Sequence, residues 1–310
     1  MERIVVPVTT PAAADAIAAL SVRADVEVIG VVVDVGNATG SDALRAVALG
    51  AGALRCHVLD VRESFAAGVL WPAIRAGALG APGEPIVTAL SMPAVALAAL
   101  EITGHEQATS IAAFAEDPRE RQRLHALLRA LAPTMGVVTV GCATPALVEQ
   151  NLWGRVAVVP ADGAAAARPA ADVPPAHLVV GFARGLPVSL SGVTMPPAEL
   201  VESLGTIARA HGVRPWLIAP EESSVRRWAV DAPAALALHR AGEALAARTL
   251  DRRTAAFAAV VAGEYAALVR DGAWFSPLRT GLDGFIERAL ASATGDVTVR
   301  MAHGEIDVQA

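Results

Sequence analysis

The stretch Ile4 to Leu20, IVVPVTTPAAADAIAAL, constrains this chain more than any other. A β-branched run, Ile4 to Val8, meets a short polar turn, and an alanine-rich helical pattern follows from about Ala12. Strand, turn and helix in that order open a parallel α/β sheet. The first turn of such a sheet is where a nucleotide's phosphates are usually held. Phosphate cradles use glycine so that backbone N–H groups can close on the anion. Here the turn reads Thr9-Thr10-Pro11-Ala12-Ala13-Ala14-Asp15; it has no glycine, Pro11 has no N–H, and the alanines add Cβ atoms. The layout announces a nucleotide site and the residues withhold its chemistry. Thr9, Thr10 and Asp15 therefore read either as an ordinary helix start or as a remnant anion site.

The alternation continues downstream. Val26 to Val35 is a near-continuous apolar run, as expected of a strand covered on both faces. Asp34 at its end could meet a ribose or a metal, or could form an Asx turn before Gly36. A helix from Ser41 to Leu49, a strand from Arg55 to Leu59 and a helix from Arg62 to Ala76 follow. A long apolar helix from about Thr88 to Thr103 then precedes strands at Ser110 to Phe114 and Val137 to Val140. This pattern predicts a doubly wound parallel sheet. Glu116, Asp117, Arg119, Glu120 and Arg121 read as a solvated helix face or, together with Arg123, as a rebuilt substrate site. Arg123 could clamp a substrate carboxylate or pair only with Glu120.

The pattern changes after an Ala/Pro-rich loop at 161–175. Short strands are expected at His177 to Phe182 and Pro187 to Leu190, and Pro197 starts an amphipathic helix. Asp231 is the expected N-cap of a helix running to about Arg248. A further helix carries Phe257, Val260, Val261, Tyr265 and Leu268 on one stripe. A hairpin closes the chain, with Val297, Val299 and Met301 alternating inward and a turn at Gly304. This second half is α+β.

Composition excludes several chemistries. All 25 basic residues are arginine, so Schiff-base, pyridoxal-phosphate and Walker-type phosphate lysines are ruled out. A net charge of −6 without a basic run argues against a nucleic-acid partner. No apolar run approaches the roughly 20 residues that span a bilayer. Cys56 and Cys142 lack metal-ligand spacing and are expected to be buried free thiols of a cytoplasmic protein. The seven histidines show no ligand spacing, and no metal site is expected.

A series of ordered phrases resembles the argininosuccinate synthase family. In the second half these are Asn151-Leu152-Trp153-Gly154-Arg155, ARGLPVSLSG (Ala183 to Gly192), Ala210-His211-Gly212-Val213, Thr249-Leu250-Asp251-Arg252 and EYAALVRDGAWFSPLR (Glu264 to Arg279). Asp34-Val35-Gly36-Asn37 and Leu70-Trp71-Pro72-Ala73-Ile74 agree in the first half. The resemblance implies an adenine nucleotide alpha hydrolase-like domain, residues 1–142, and a synthetase-type assembly domain, residues 143–310. It also implies ATP-dependent adenylation of citrulline with release of pyrophosphate, followed by displacement of AMP by the amine of aspartate.

The chain departs from the family where that chemistry is done. The family's pyrophosphate loop, Ser-Gly-Gly-Leu-Asp-Thr-Ser, is replaced by Thr9 to Asp15. Its second signature, Gly-Cys-Thr-Gly-Lys-Gly-Asn-Asp-Gln, is replaced by Ala113 to Gln122. The citrulline-holding tyrosine and glutamate are replaced around Val230 to Pro233. Arg123 falls where the family keeps an arginine for a substrate carboxylate, and Asn151 and Arg155 belong to a matching motif, so all three stand as candidate substrate contacts. The expectation is a pseudoenzyme that persists as a scaffold or regulatory partner. The alternative is a rebuilt cleft that forms or breaks a C–N bond on an amino-acid-like substrate. No cofactor is expected, with ATP and Mg²⁺ only if the ancestral site survives. The family's tetramer-forming C-terminal arm is expected to be absent after Ala310. A homodimer, or a complex with a homologue, is therefore expected.

Overall fold

In the computed structural model, residues 1–36, 39–115, 117–140, 154–160, 173–218 and 226–309 are described. The elements of the first half are β1 (Glu2–Val8), α1 (Ala13–Ser21), β2 (Val26–Asp34), α2 (Ser41–Gly50), β3 (Arg55–Asp60), α3 (Arg62–Phe65), α4 (Trp71–Arg75), α5 (Met92–His105), β4 (Ser110–Ala113), α6 (Pro118–Leu131) and β5 (Gly136–Thr139). Those of the second are β6 (Arg155–Pro160), β7 (Ala176–Ala183), β8 (Leu186–Leu190), β9 (Val193–Thr194), α7 (Pro197–Ala210), β10 (Trp216–Ile218), β11 (Arg226–Asp231), α8 (Pro233–Thr249), α9 (Arg252–Arg270), α10 (Pro277–Ala289), β12 (Gly295–Ala302) and β13 (Glu305–Gln309).

The β-branched runs of β1 and β2 are buried almost end to end, so both faces of their sheet need helices. Five parallel strands pair in the order β3-β2-β1-β4-β5. From β1 the chain steps outward through β2 to β3, then returns to lay β4 against the other side of β1. That reversal places a topological switch point between β1 and β4. Ala13, Ala16, Ile17 and Leu20 of α1 recur at helical spacing and are buried in a core with Ile4, Val6, Val28 and Leu44.

The helix expected from Arg62 to Ala76 is interrupted. A five-residue π turn, Ala66–Leu70, separates α3 from α4. Pro72 supplies the cause, since it has no N–H for the α-helical carbonyl partner and its ring crowds the preceding turn.

The chain divides into two units that interleave in sequence. Met1–Phe65, Ala89–Asn151 and Leu268–Ser276 form the first; Ala66–Thr88, Leu152–Ala267 and Pro277–Ala310 form the second. The single cut expected at 142/143 falls outside the described residues; the segments 66–88 and 268–276 group with the unit opposite to that of their sequence neighbours.

The second unit holds an antiparallel sheet β13-β12-β7-β8-β9 and a three-stranded one, β10-β11-β6. Val297, Val299 and Met301 are fully buried along β12, as their alternation predicts. Two expectations are corrected here. Asp231 is not a helix cap: it ends β11 opposite Arg155, and the N-cap of α8 is Ala232 with no side-chain bond, because Pro233 at the first turn already fixes the helix entry. On α9, Val261 and Tyr265 are buried but Phe257 and Val260 are more than half exposed, so the apolar stripe is wider than the face the unit covers.

His239 on α8 is buried, and burial outweighs the attraction of Glu243, holding its imidazole below the ordinary value of 6.5. An unfolded histidine takes a proton near that value. Between the folded and unfolded values the unfolded chain therefore binds more protons, and stability present at neutral pH is lost as the pH falls below about 6.5. The urea midpoint is expected to drop between pH 7.5 and pH 5.5, and His239→Gln should flatten that dependence. The carboxylates held low, such as Glu106 with its hydrogen bond to His57, act at more acid pH.

Candidate functional site

The switch point brings the ends of three strands to one edge of the first sheet. Thr9 and Thr10 follow β1, Asp34 ends β2, and Asp117 follows β4. This is the crevice where open α/β sheets place ligands. Asp15 lies on the first turn of α1 and is exposed.

The turn after β1 spends its own donors. The N–H of Ala13 donates to Thr10 O at 3.2 Å, that of Ala14 to Pro11 O at 3.1 Å, and that of Asp15 to Ala12 O at 3.1 Å. These are the first amides of α1, the groups that a helix normally offers to an anion. Ala12 is the N-cap with a helical backbone and no side-chain bond. A phosphate here would have to break the tight turn and would find Cβ atoms in place of an open cradle. The residues present do not fit the triphosphate that the family resemblance implies.

Asp34 is also engaged. Its Oδ1 accepts the N–H of Gly36 at 2.8 Å, an Asx turn with Gly36 at φ +81°, and its Oδ2 accepts the Ser41 hydroxyl at 2.7 Å. Between the two sequence readings of Asp34, this geometry is the Asx turn.

The charged run after β4 is tied to backbone. Asp117 N-caps α6 by accepting the N–H of Arg119 at 2.8 Å. Arg121 donates to the carbonyl of Ala115 at 3.3 Å. Arg123 is 5 % exposed, and its Nε donates to the carbonyl of Arg270 at 2.7 Å. Glu120 is buried as well, at 8 % exposed, so the expectation of a solvated face fails for Glu120. The segment Leu268–Ser276 belongs to this unit and meets α6 at Arg123 and Ala126. Asn151 lies outside the described residues. The backbone of Arg155 opens β6 in the second unit, and its side chain lies outside the described residues.

Among the described residues no cluster of three or more His, Cys, Asp or Glu could hold a metal ion. None of the described helices is long and apolar enough to cross a membrane. Cys56 is a buried free thiol whose pKa is pushed up by desolvation, which makes it a poor nucleophile; Cys142 lies outside the described residues. The second unit also holds a cavity lined by Arg75, His239 and Glu243, residues that no sequence reading singled out.

Comparison with known proteins was consistent along the chain. The profile described as Arginosuccinate synthase N-terminal HUP domain matches residues 12–144, and that of the Arginosuccinate synthase C-terminal domain matches residues 153–310. The argininosuccinate synthase of Rubrobacter xylanophilus is 32% identical over 314 residues, covering 89% of this chain and 77% of that one. That of Dehalococcoides mccartyi is 29% identical over 324 residues, covering 91% and 79%. With a parallel first sheet built around a β1/β4 switch point and family profiles matching both halves, the chain belongs to the argininosuccinate synthase family.

Proposed function

We propose that this protein lacks the ATP-dependent ligation of citrulline to aspartate and acts as a scaffold or regulatory partner. The observation that carries this reading is the turn after β1, where three successive amides donate to Thr10, Pro11 and Ala12 rather than outward. Adenylation expels pyrophosphate, and the charge that develops on it needs preorganised donors. This turn supplies none from those amides, and the chain has no lysine to replace them. The buried Arg123, held by a backbone carbonyl, supports the same reading by removing one candidate carboxylate anchor. The partner is a second copy or a homologue in the cytoplasm. The exposed apolar side chains Phe257 and Val260 of α9 and Leu278 of α10 are of the kind an interface covers.

The relatives are named as synthases, which points the other way, and one assay decides. Purified protein given ATP, Mg²⁺, citrulline and aspartate is expected to form no argininosuccinate above the protein-free control, read by mass spectrometry. Turnover would overturn the proposal. The rebuilt-cleft reading, a C–N bond formed or broken on an amino-acid-like substrate, is favoured by the half-buried Thr9 and Thr10 and the Asp117 carboxylate at the crevice edge. It would be revealed by consumption of amino acids without argininosuccinate formation.

A further inference from the structure

The second unit holds a half-open cavity of about 430 Å³. It is walled by α4, α8, α9, α10 and the turn that follows α4. Small side chains leave the space open: Ala246 on α8 and Ala258 and Ala262 on α9 face it, where leucines would fill it. Its volume and mainly apolar lining are those of a small-molecule pocket, in which a few polar groups fix the ligand.

Three polar side chains line it: Arg75, His239 and Glu243. Arg75 is only 14 % exposed, its Nη1 lies 3.9 Å from Glu287, and its Nε is buried with no hydrogen-bond partner among the described residues. A buried guanidinium N–H left unmade is costly, and such orphans are rare enough to need a cause. The arginine is also seated. Gly185, at φ +77°, lies against its stem, and a Cβ there would stand 3.3 Å from Arg75 Cγ and 2.9 Å from Leu290 Cδ1. His239 packs over Gly80, where any Cβ would collide with the imidazole, and its ring pairs with Glu243 at 3.4 Å.

We propose that this cavity binds a small molecule with an apolar body and one carboxylate, the carboxylate accepting from the Nε edge of Arg75. An acceptor is what the orphan N–H lacks, and a guanidinium presents that edge to a carboxylate in a two-bond fork. The charge balance selects a monoanion. Among the described residues Arg75 is the one cation lining the cavity, Glu243 lines it too and Glu287 lies beside the arginine, so a phosphate dianion would meet excess negative charge. The site lies wholly in the second unit and does not depend on how the turn after β1 behaves.

The test is calorimetric titration of the full chain with octanoate, using octan-1-ol as the uncharged control. Octanoate is expected to bind with a dissociation constant below about 1 mM. Arg75→Met should weaken octanoate at least about tenfold and leave octanol unchanged. Ala258→Phe fills the space and should abolish both, with the thermal unfolding midpoint of each variant confirming that it folds. L-Leucine against 4-methylpentanoate separates the two sources of such a carboxylate: either one binding through Arg75 supports the site, and tighter leucine binding assigns it to an amino acid. Octanol binding as tightly as octanoate, or no octanoate binding by the folded protein at that concentration, would overturn the proposal. Neither result would bear on the ATP assay above.

Discussion

Replacing Tyr265 by alanine is expected to destabilise the second unit by about 3–5 kcal/mol, the range for removing a large buried aromatic. Tyr265 is fully buried in α9, and its hydroxyl donates to Asp283 Oδ1 at 3.0 Å on α10. Asp283 also receives Arg279 at 3.1 Å, one turn earlier on the same helix. Burial, with Asp283 close by, pushes the phenol far above its ordinary value, so it stays a neutral donor at any pH where the protein folds. Tyr265→Phe keeps the ring and leaves Asp283 its arginine, so it should cost only about 1 kcal/mol. Thermal unfolding of the two variants separates the contributions. Equal losses would mean that the hydroxyl network, not ring burial, holds α9 to α10.

Gly272→Ala is expected to cost about 2–4 kcal/mol, from strain and overpacking together. Gly272 follows α9 at φ +69°, where a side chain is disfavoured. A Cβ there would come within 2.7 Å of the Arg123 carbonyl and 3.0 Å of its Cα, and a backbone atom cannot swing aside like a side-chain tip. The contact sits beside the bond from Arg123 to Arg270, so one substitution disturbs that hydrogen bond as well. Arg123→Ala, which removes only the hydrogen bond and the stem, should cost less. A Gly272→Ala midpoint matching the wild type in chemical denaturation would refute this packing.

The sequence made some of this legible and hid the rest for physical reasons. β1, α1 and the closing hairpin could be read because periods of 3.6 and 2 are written directly in Ala13-Ala16-Ile17-Leu20 and Val297-Val299-Met301. The missing glycines of the first turn were equally plain. The i to i+3 bonds that consume its amides were not, because backbone geometry leaves no residue signature. The burial of Glu120 was hidden because a charged run reads as solvated, and that of Arg123 because its carbonyl partner arrives 147 residues later. Nor could the stripe on α9 say that Phe257 and Val260 would stay outside, since periodicity marks an apolar face without naming what covers it. Arg75 and His239 belong to no motif, and only folding brings them to one cavity.

The most direct test of the central claim is calorimetric titration of the purified protein with ATP and Mg²⁺, repeated on Thr9→Ala. No binding is expected up to about 1 mM nucleotide in either protein, because the amides of the first turn are already bonded within it. Binding in the micromolar range that weakens in Thr9→Ala would contradict that expectation, and would mean that the turn opens to grip phosphate.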